Sequence, residues 1–324
     1  MSAVTAARPV RGMLWVAWRQ HRMMAAGVVA VLGGLALALF VHGLGMHADF
    51  VRLGLDRCGS PAGGRCQALE PFFDDQYGGA LLYWPRLLLF LPMLIGMFAG
   101  APLVARELES GTFRFAWTQG CGRLRWILVK LAAIAVVLTV AALGFSLVYA
   151  WWFEPAASFQ GRLGNGTYEV SGLVFTARLV LGFALGVLLG VLIRRTIVAM
   201  AATLLGQLAI SLPLALVLRP RIERPITTRL GPGHDPTGWT LHQWWVGPDG
   251  HRVGRATMSA LANRLEVGGV EPYRWLAAHH YAQWETYQPD GRFWTFQLVE
   301  SGCLVVLAGA CAAAAVWWIV RKAT

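Results

Sequence analysis

Six apolar runs alternate with polar segments along this chain of 324 residues. The runs occupy residues 25–44, 87–104, 126–150, 173–193, 197–218 and 296–320. Each is close to the length of about 20 residues that a helix needs to cross a hydrocarbon core about 30 Å thick. The pattern therefore predicts an α-helical integral membrane protein with about six transmembrane helices.

The first run could instead be a secretory signal peptide. Its apolar part is longer than the roughly 7–15 residues of such a segment, and no small-residue cleavage site follows it. We therefore expect it to remain in the protein as a helix. Residues 10–24, just before it, mix tryptophan with arginine, which predicts an N-terminal cytoplasmic helix at the membrane interface. A simple basic and aromatic anchor is the alternative.

The longest polar stretch, residues 220–295, predicts a small α+β cap outside the membrane. Within it, residues 244–253 are typical of a β-hairpin turned by Gly-Pro-Asp-Gly. Residues 255–267 and 272–287 are typical of helices, the second of which begins at a proline. The chain is thus divided into residues 1–219 with five spans, the cap at 220–295, and residues 296–324 with the sixth span and a short cytoplasmic tail.

Composition supports a membrane protein and predicts its orientation. Charged residues make up 14% of the chain, against about 25% in ordinary soluble domains. A net charge of +11 would suggest nucleic acid binding in a soluble protein, but cytoplasmic loops of membrane proteins collect Lys and Arg. With the N-terminus inside, the short inside segments are basic, through Arg8, Arg11, Arg19, Arg22, Arg194, Arg195, Arg321 and Lys322. We therefore expect a plasma membrane protein with both termini cytoplasmic, lipid as a partner and no nucleic acid partner.

Cysteine usage and the absence of catalytic motifs limit the kinds of chemical site that we expect in the chain. Cys58 and Cys66 share the first outside loop, where an oxidising exterior would allow a disulfide; two free thiols are the alternative. The sequence contains no Cys-x-x-Cys pair, so we expect no metal site. It also lacks a P-loop, so the chain cannot hydrolyse ATP by that route, and it lacks H-E-x-x-H and G-x-S-x-G.

Glycines spaced four apart mark two of the spans. Gly182, Gly186 and Gly190 lie in the fourth run, and Gly96 and Gly100 lie in the second. Such ridges let helix backbones approach closely in lipid. The pattern allows either packing within the chain or a seam between two copies.

Polar residues within the apolar runs are the next candidates, because charge is expensive in a membrane. Arg178 and Glu300 lie near the outer ends of the fourth and sixth spans, at similar depth, and Gln207 lies in the middle of the fifth. They could line a transport path. Alternatively, Arg178 and Glu300 could form a buried ion pair that fixes helix register, or Arg178 could reach the outer headgroups.

Residues 105–125, here called the elbow, connect the second and third apolar runs and carry both signs of charge. Gly111 and Thr112 should end the second helix, and Phe113, Phe115 and Trp117 should follow in a short aromatic segment. Apolar anchors surrounded by charges are typical of a docking surface. Anchoring in the inner aromatic belt of the membrane is the alternative.

The elbow also carries a family resemblance. The segment Glu107-x-Glu109-x-Gly111-Thr112, followed by Arg123, resembles the E-x-E-x-G-T segment of ABC-2 type transport permeases, above all actinobacterial ones that share "ARELESGT". The resemblance implies a coupling helix that contacts a separate ABC ATP-binding subunit, with the two glutamates contacting that partner or fixing the elbow by charge. That subunit would bind ATP and Mg²⁺, this chain would need no cofactor, and a second permease copy or homologue would complete the transporter.

The implied function is a non-catalytic permease subunit of an ABC exporter that moves a drug-like, peptide or lipid-like substrate outward. The resemblance places coupling on Glu107, Glu109, Gly111, Thr112, Phe113, Phe115, Trp117 and Arg123. A non-transporting membrane sensor or scaffold coupled to the same ATPase is one alternative. A membrane enzyme with its active site in the cap is a weaker one.

Overall fold

The spans and cap can be followed in a computed structural model that describes residues 3–58, 64–111, 122–164, 166–230, 237–270 and 272–322. Its helices are α1 (Ala3–Leu53), α2 (Gly64–Leu88), α3 (Leu91–Ser110), α4 (Arg123–Gln160), α5 (Thr167–Val170), α6 (Gly172–Ile193), α7 (Thr196–Pro213), α8 (Arg255–Val267), α9 (Pro272–Ala278) and α10 (Phe293–Lys322). In the described part of the chain, six helical segments are long and apolar enough to cross a membrane. The protein is therefore a helical integral membrane protein, as predicted.

The N-terminal segment is helical, as predicted, but it does not form a separate interfacial element. It belongs to α1, which runs for 51 residues into and through the first span. Residues 13–26 contain neither proline nor glycine, so nothing in the backbone ends the helix between the basic segment and the apolar run. The tryptophans Trp15 and Trp18 are exposed on its surface.

Helix α2 is an element that the apolar pattern did not predict. It has 25 residues, leads into α3 and replaces most of the expected first outside loop. Its acidic residues hide it from a search for apolar runs, yet one face is regular: Phe73, Tyr77 and Leu81 are spaced four apart and are buried. Beyond Pro85 the chain turns at residues 89–90, with the Leu89 N–H still donating to the Pro85 carbonyl at 3.1 Å.

Helix α6 lies at the centre of the bundle, in contact with α3, α4, α7 and α10. Its glycine ridge packs on the ridge of α3: a Cβ added to Gly96 would lie 2.6 Å from the carbonyl carbon of Gly182. One added to Gly186 would lie 2.8 Å from the backbone nitrogen of Ala101. Of the two alternatives for these glycines, the structure therefore shows packing within one chain.

The cap is built on one antiparallel sheet of β1 (Ile226–Arg229), β2 (Trp239–Val246), β3 (Arg252–Val253) and β4 (Ala282–Gln288), in the order β1-β4-β2-β3. The predicted hairpin is the β2–β3 pair, and α8 has the predicted bounds. We call the membrane side that carries this sheet the cap side and the opposite one the elbow side.

The helix predicted over residues 272–287 is wrong in its second half. Helix α9 ends at Ala278, His280 adopts a left-handed backbone with φ of 61°, and the following residues form β4. This strand hydrogen-bonds to β1 on one edge and β2 on the other, for example with Thr286 opposite both Thr227 and His242. Partners that are distant in sequence decide its conformation, which local propensity does not show.

Candidate functional site

The elbow begins where α3 ends. Gly111 follows the last residue of α3 in a left-handed conformation with φ of 72°, a geometry that favours glycine, as predicted for this break. Gly122 then precedes α4, of which Arg123 is the first residue. The predicted coupling residues Thr112, Phe113, Phe115 and Trp117 and the side chain of Arg123 lie outside the described residues.

Glu107 forms an ion pair with Lys130, about two turns into the neighbouring helix α4. Lys130 is only 1% exposed, and its ammonium lies 4.5 Å from the centroid of the Trp126 ring. A buried ammonium needs a counter-charge and hydrogen-bond acceptors, because water is not there to solvate it. Glu107 supplies both and thereby ties the end of α3 to the start of α4.

Glu109 ties the same end of α3 to a different helix. Its carboxylate Oε2 accepts hydrogen bonds from the backbone N–H of Thr196 at 3.0 Å and from the Thr196 hydroxyl at 2.7 Å. Thr196 is the first residue of α7, where backbone N–H groups have no partner within the helix and attract negative charge. Glu109 therefore caps the N-terminus of α7 from another span. The sequence did not predict this capping role.

On the cap side, the structure brings Arg178 and Glu300 together. Arg178 Nη2 donates to Glu300 Oε1 at 2.9 Å, which joins α6 to α10. The residues are 4% and 1% exposed, so the pair is buried. Gln207 belongs to the same region, since its Nε2 donates to the Arg178 carbonyl at 2.9 Å and joins α7 to α6.

Two further charges, which the sequence analysis missed, complete this cluster. Arg219 donates through Nε to Glu300 Oε2 at 3.0 Å and through Nη1 to Glu169 Oε1 at 2.6 Å. Arg219 is 0% exposed and its guanidinium lies 4.1 Å from the centroid of the Tyr168 ring. We call Glu169, Arg219, Glu300 and Arg178 the buried charge network, in which two positive and two negative groups alternate.

Glu169 is held ionised by this network. Burial on its own would raise the pKa of Glu169, but the charges of Arg219 and Arg178 and hydrogen bonds from Arg219 and the Gly166 N–H outweigh burial and lower it. Both missed residues lie at the ends of apolar runs, where a charge is unremarkable. The signal available in the sequence was the excess of charge at one depth: Arg178 and Glu300 were already there, and Arg219 follows the fifth run directly.

Gln297 is a further polar residue that only the structure shows. Its Oε1 accepts from the Val174 N–H at 2.9 Å, and its Nε2 donates to the carbonyls of Tyr168 and Ser171, each at 3.2 Å. It therefore satisfies backbone groups where α5 gives way to α6 and fixes α10 against them. The buried charge network and Gln297 together join the cap ends of α6, α7 and α10.

Cys58 is disulfide-bonded, and the side chain of its predicted partner Cys66 lies outside the described residues. Cys303 and Cys311 in α10 are free thiols. Among the residues that the structure describes, no three His, Cys, Asp or Glu side chains are grouped so that they could hold a metal ion.

Comparison with known proteins gives a match over the helical bundle that carries the elbow and most of the buried charge network. The sequence profile of one family, described as ABC-2 membrane transporter related, matches residues 28–219, more than half of the chain. The match includes both elbow glutamates, Lys130, Thr196 and Arg219, and it ends before the cap. A search of curated proteins found no match. From the extent of the profile match and the six spans, we conclude that the chain belongs to the ABC-2 membrane transporter related family and is a multi-pass permease of that type.

Proposed function

We propose that the chain is the membrane-spanning, non-catalytic subunit of an ABC exporter in the plasma membrane. A separate ATP-binding subunit docks on the elbow, binds ATP and Mg²⁺ and supplies the energy, and a second permease copy or homologue completes the path. One observation carries this proposal. The two glutamates of the elbow connect α3 to α4 and to α7 within the region that matches the family.

These two side-chain connections suggest how the elbow acts in the exporter. Glu107 and Lys130 make the ends of α3 and α4 move together, since separating them would leave a buried charge alone. Glu109 extends the connection to the first turn of α7. A push from the ATPase on the elbow would therefore displace three spans together. In this proposal the two glutamates fix the elbow from within, which is one of the two roles that the resemblance allows them.

The orientation follows from charge. Arg106, Arg125, Arg194 and Arg195 lie at the elbow side, together with Arg22 before the first span and Arg321 after the last. Short basic segments favour the cytoplasmic side. We therefore place the elbow and both termini in the cytoplasm and the cap outside.

The proposal is tested by co-expression with the product of an adjacent reading frame that carries a Walker A motif. We expect co-purification, and in proteoliposomes we expect ATP-driven movement of compounds from a panel of drug-like, peptide and lipid-like molecules. ATPase activity that compounds stimulate without moving them would favour the sensor or scaffold alternative. Failure of every Walker A protein to co-purify would overturn the proposal.

The connection between Glu109 and α7 is tested separately by the Glu109→Gln variant. The neutral amide is a weaker acceptor for the first N–H of α7, so we expect normal co-purification of the ATPase with reduced transport per ATP hydrolysed. Thr196→Val, which removes the hydroxyl donor, should act in the same direction. The matched control is Glu266→Gln, an exposed position on α8 in the cap. Wild-type coupling in both Glu109→Gln and Thr196→Val would exclude this role of Glu109.

A further inference from the structure

A cavity of about 590 Å³ opens at the cap-side ends of α4, α6 and α10. Its apolar lining includes Leu143, Leu147, Ala150, Phe153, Leu173 and Trp294. The first three lie on one face of α4 at helical spacing, so the cavity follows this helix along the membrane normal. The buried charge network is not part of its lining.

The polar rim of the cavity contains one positive and two negative side chains, and two of the three neutralise each other. Arg162 donates to Asp290 Oδ2 through Nε at 2.9 Å and Nη2 at 2.6 Å, and its backbone N–H donates to Oδ1 at 2.6 Å. The Arg162 guanidinium also lies 4.8 Å from the centroid of the Phe293 ring. The charge of this arginine is therefore already paired with that of Asp290.

Glu154 is the charge that remains. It lies on the face of α4 that carries Leu143 and Leu147, it lines the cavity and it is exposed. In the described part of the chain it has neither a hydrogen bond nor an ion pair. The rim therefore carries an uncompensated negative charge next to an apolar wall. The exposed ring of Trp294 also lines the cavity, and aromatic faces attract cations.

We propose that this cavity binds a cationic amphiphile, with its charged head at Glu154 and its apolar tail along α4 toward Leu143. At a rise of 1.5 Å per residue, these two positions lie about 16 Å apart along the helix, which accommodates a single extended alkyl chain. Charge complementarity favours this occupant over an anionic lipid, whose phosphate would lie beside the free carboxylate. The inference rests on the proposed exporter function, to which it adds a substrate class that enters from the outer half of the membrane.

Binding is tested on the full chain in nanodiscs of zwitterionic phosphatidylcholine. The probes are two brominated amphiphiles with the same alkyl chain, one with a trimethylammonium head and one with a sulfate head. Bromine quenches tryptophan fluorescence, and subtracting the signal of a Trp294→Phe variant, which keeps an aromatic ring at this position, reports the quenching of Trp294 at the cavity. We expect the cationic probe to bind about five- to ten-fold more tightly than the anionic one, as one partly screened charge pair allows.

The decisive variant is Glu154→Gln, which should bring the two probes to near parity, while Glu154→Lys should reverse the preference. Both changes are at an exposed position, and Glu266→Gln serves as the matched control with unchanged selectivity. Equal binding of both probes to the wild type, or an unchanged preference in Glu154→Gln, would overturn the proposal and leave an ordinary lipid-filled groove.

The test needs no ATPase, so it separates this inference from the exporter function. Cation-selective binding by a chain with which no Walker A protein co-purifies and which moves no compound of the panel would support the site and contradict the exporter. ATP-driven transport of other compounds by a chain without cation selectivity would support the exporter and overturn the site.

Discussion

At the scale of single residues, Glu300 is the centre of the buried charge network, because it contacts both arginines. Arg178 reaches it from α6 and Arg219 reaches it from the end of α7. Removing one partner from a buried ion pair commonly costs about 3–5 kcal/mol, since the remaining charge is left without solvent or counter-charge. The position of each residue in the network therefore predicts how much stability is lost when that residue is replaced.

We expect Glu300→Leu to be the more damaging change, because it leaves two arginines against one glutamate. Arg178→Leu should be milder, since Glu300 keeps its contacts with Arg219. The double variant should recover part of the loss, because the remaining Glu169–Arg219 pair is neutral overall. Fluorescence-detected size-exclusion chromatography after heating measures this, with Arg52→Leu as a control whose side chain is 75% exposed. Additive losses in the double-mutant cycle would show that Arg178 and Glu300 do not interact.

Glu169 gives the network a dependence on pH. Its pKa in the folded protein lies below its usual value, so the stability it contributes is present above the unfolded-state pKa and is lost as pH falls through the folded-state pKa. Glu169→Gln should lower the thermal stability at neutral pH and flatten the decline on acidification. Thermal unfolding of both proteins across the acidic range measures this difference. Parallel acid profiles for wild type and variant would contradict it.

At the scale of elements, glycine decides how closely α3 and α6 pack. The atoms that a Cβ on Gly186 would meet are all backbone atoms of α3, which cannot move without displacing the whole helix. Gly302 in α10 provides the contrast, because nothing lies within 4 Å of a Cβ added there. The same substitution at the two positions thus separates helix propensity from packing.

Gly186→Ala should therefore destabilise the protein by about 1–3 kcal/mol, the usual cost of overpacking. Gly302→Ala should be neutral or stabilising by about 0.5–1 kcal/mol, because alanine is the better helix former. The midpoint of thermal unfolding in the same detergent measures both. Equal midpoints for the two variants would show that α3 and α6 separate easily.

At the scale of the whole molecule, the proposed orientation puts the connection between α1 and α2 outside the cell. Cys58 should then resist a membrane-impermeant thiol reagent applied to whole cells until reductant is added, because it is disulfide-bonded. A Cys58→Ser variant identifies the partner: labelling of Cys66 without reductant would establish the predicted pair. Labelling only after the membrane is permeabilised would contradict the orientation.

The sequence predicted well what depends on local chemistry. Six apolar runs located the spans, since burying apolar side chains in lipid needs only length and composition. The break at Gly111 and the bounds of α8 followed from turn and capping preferences. The resemblance at Glu107 and Glu109 marked the elbow, and the family match then confirmed the family.

The tertiary structure decided most of what depends on a distant partner, and among the alternatives that the sequence left open for Arg178 and Glu300 it selected the buried ion pair. Arg219 and Glu169 are ordinary boundary charges in the sequence, and only folding places them on Glu300. Glu109 becomes a helix cap because α7 begins beside it, and residues 282–288 become a strand because β1 and β2 lie on both sides. Hydrophobicity and turn preference act between neighbours in the chain, so they can be read along it. Charge pairing, capping from another helix and strand pairing act across space, so only the fold assigns them.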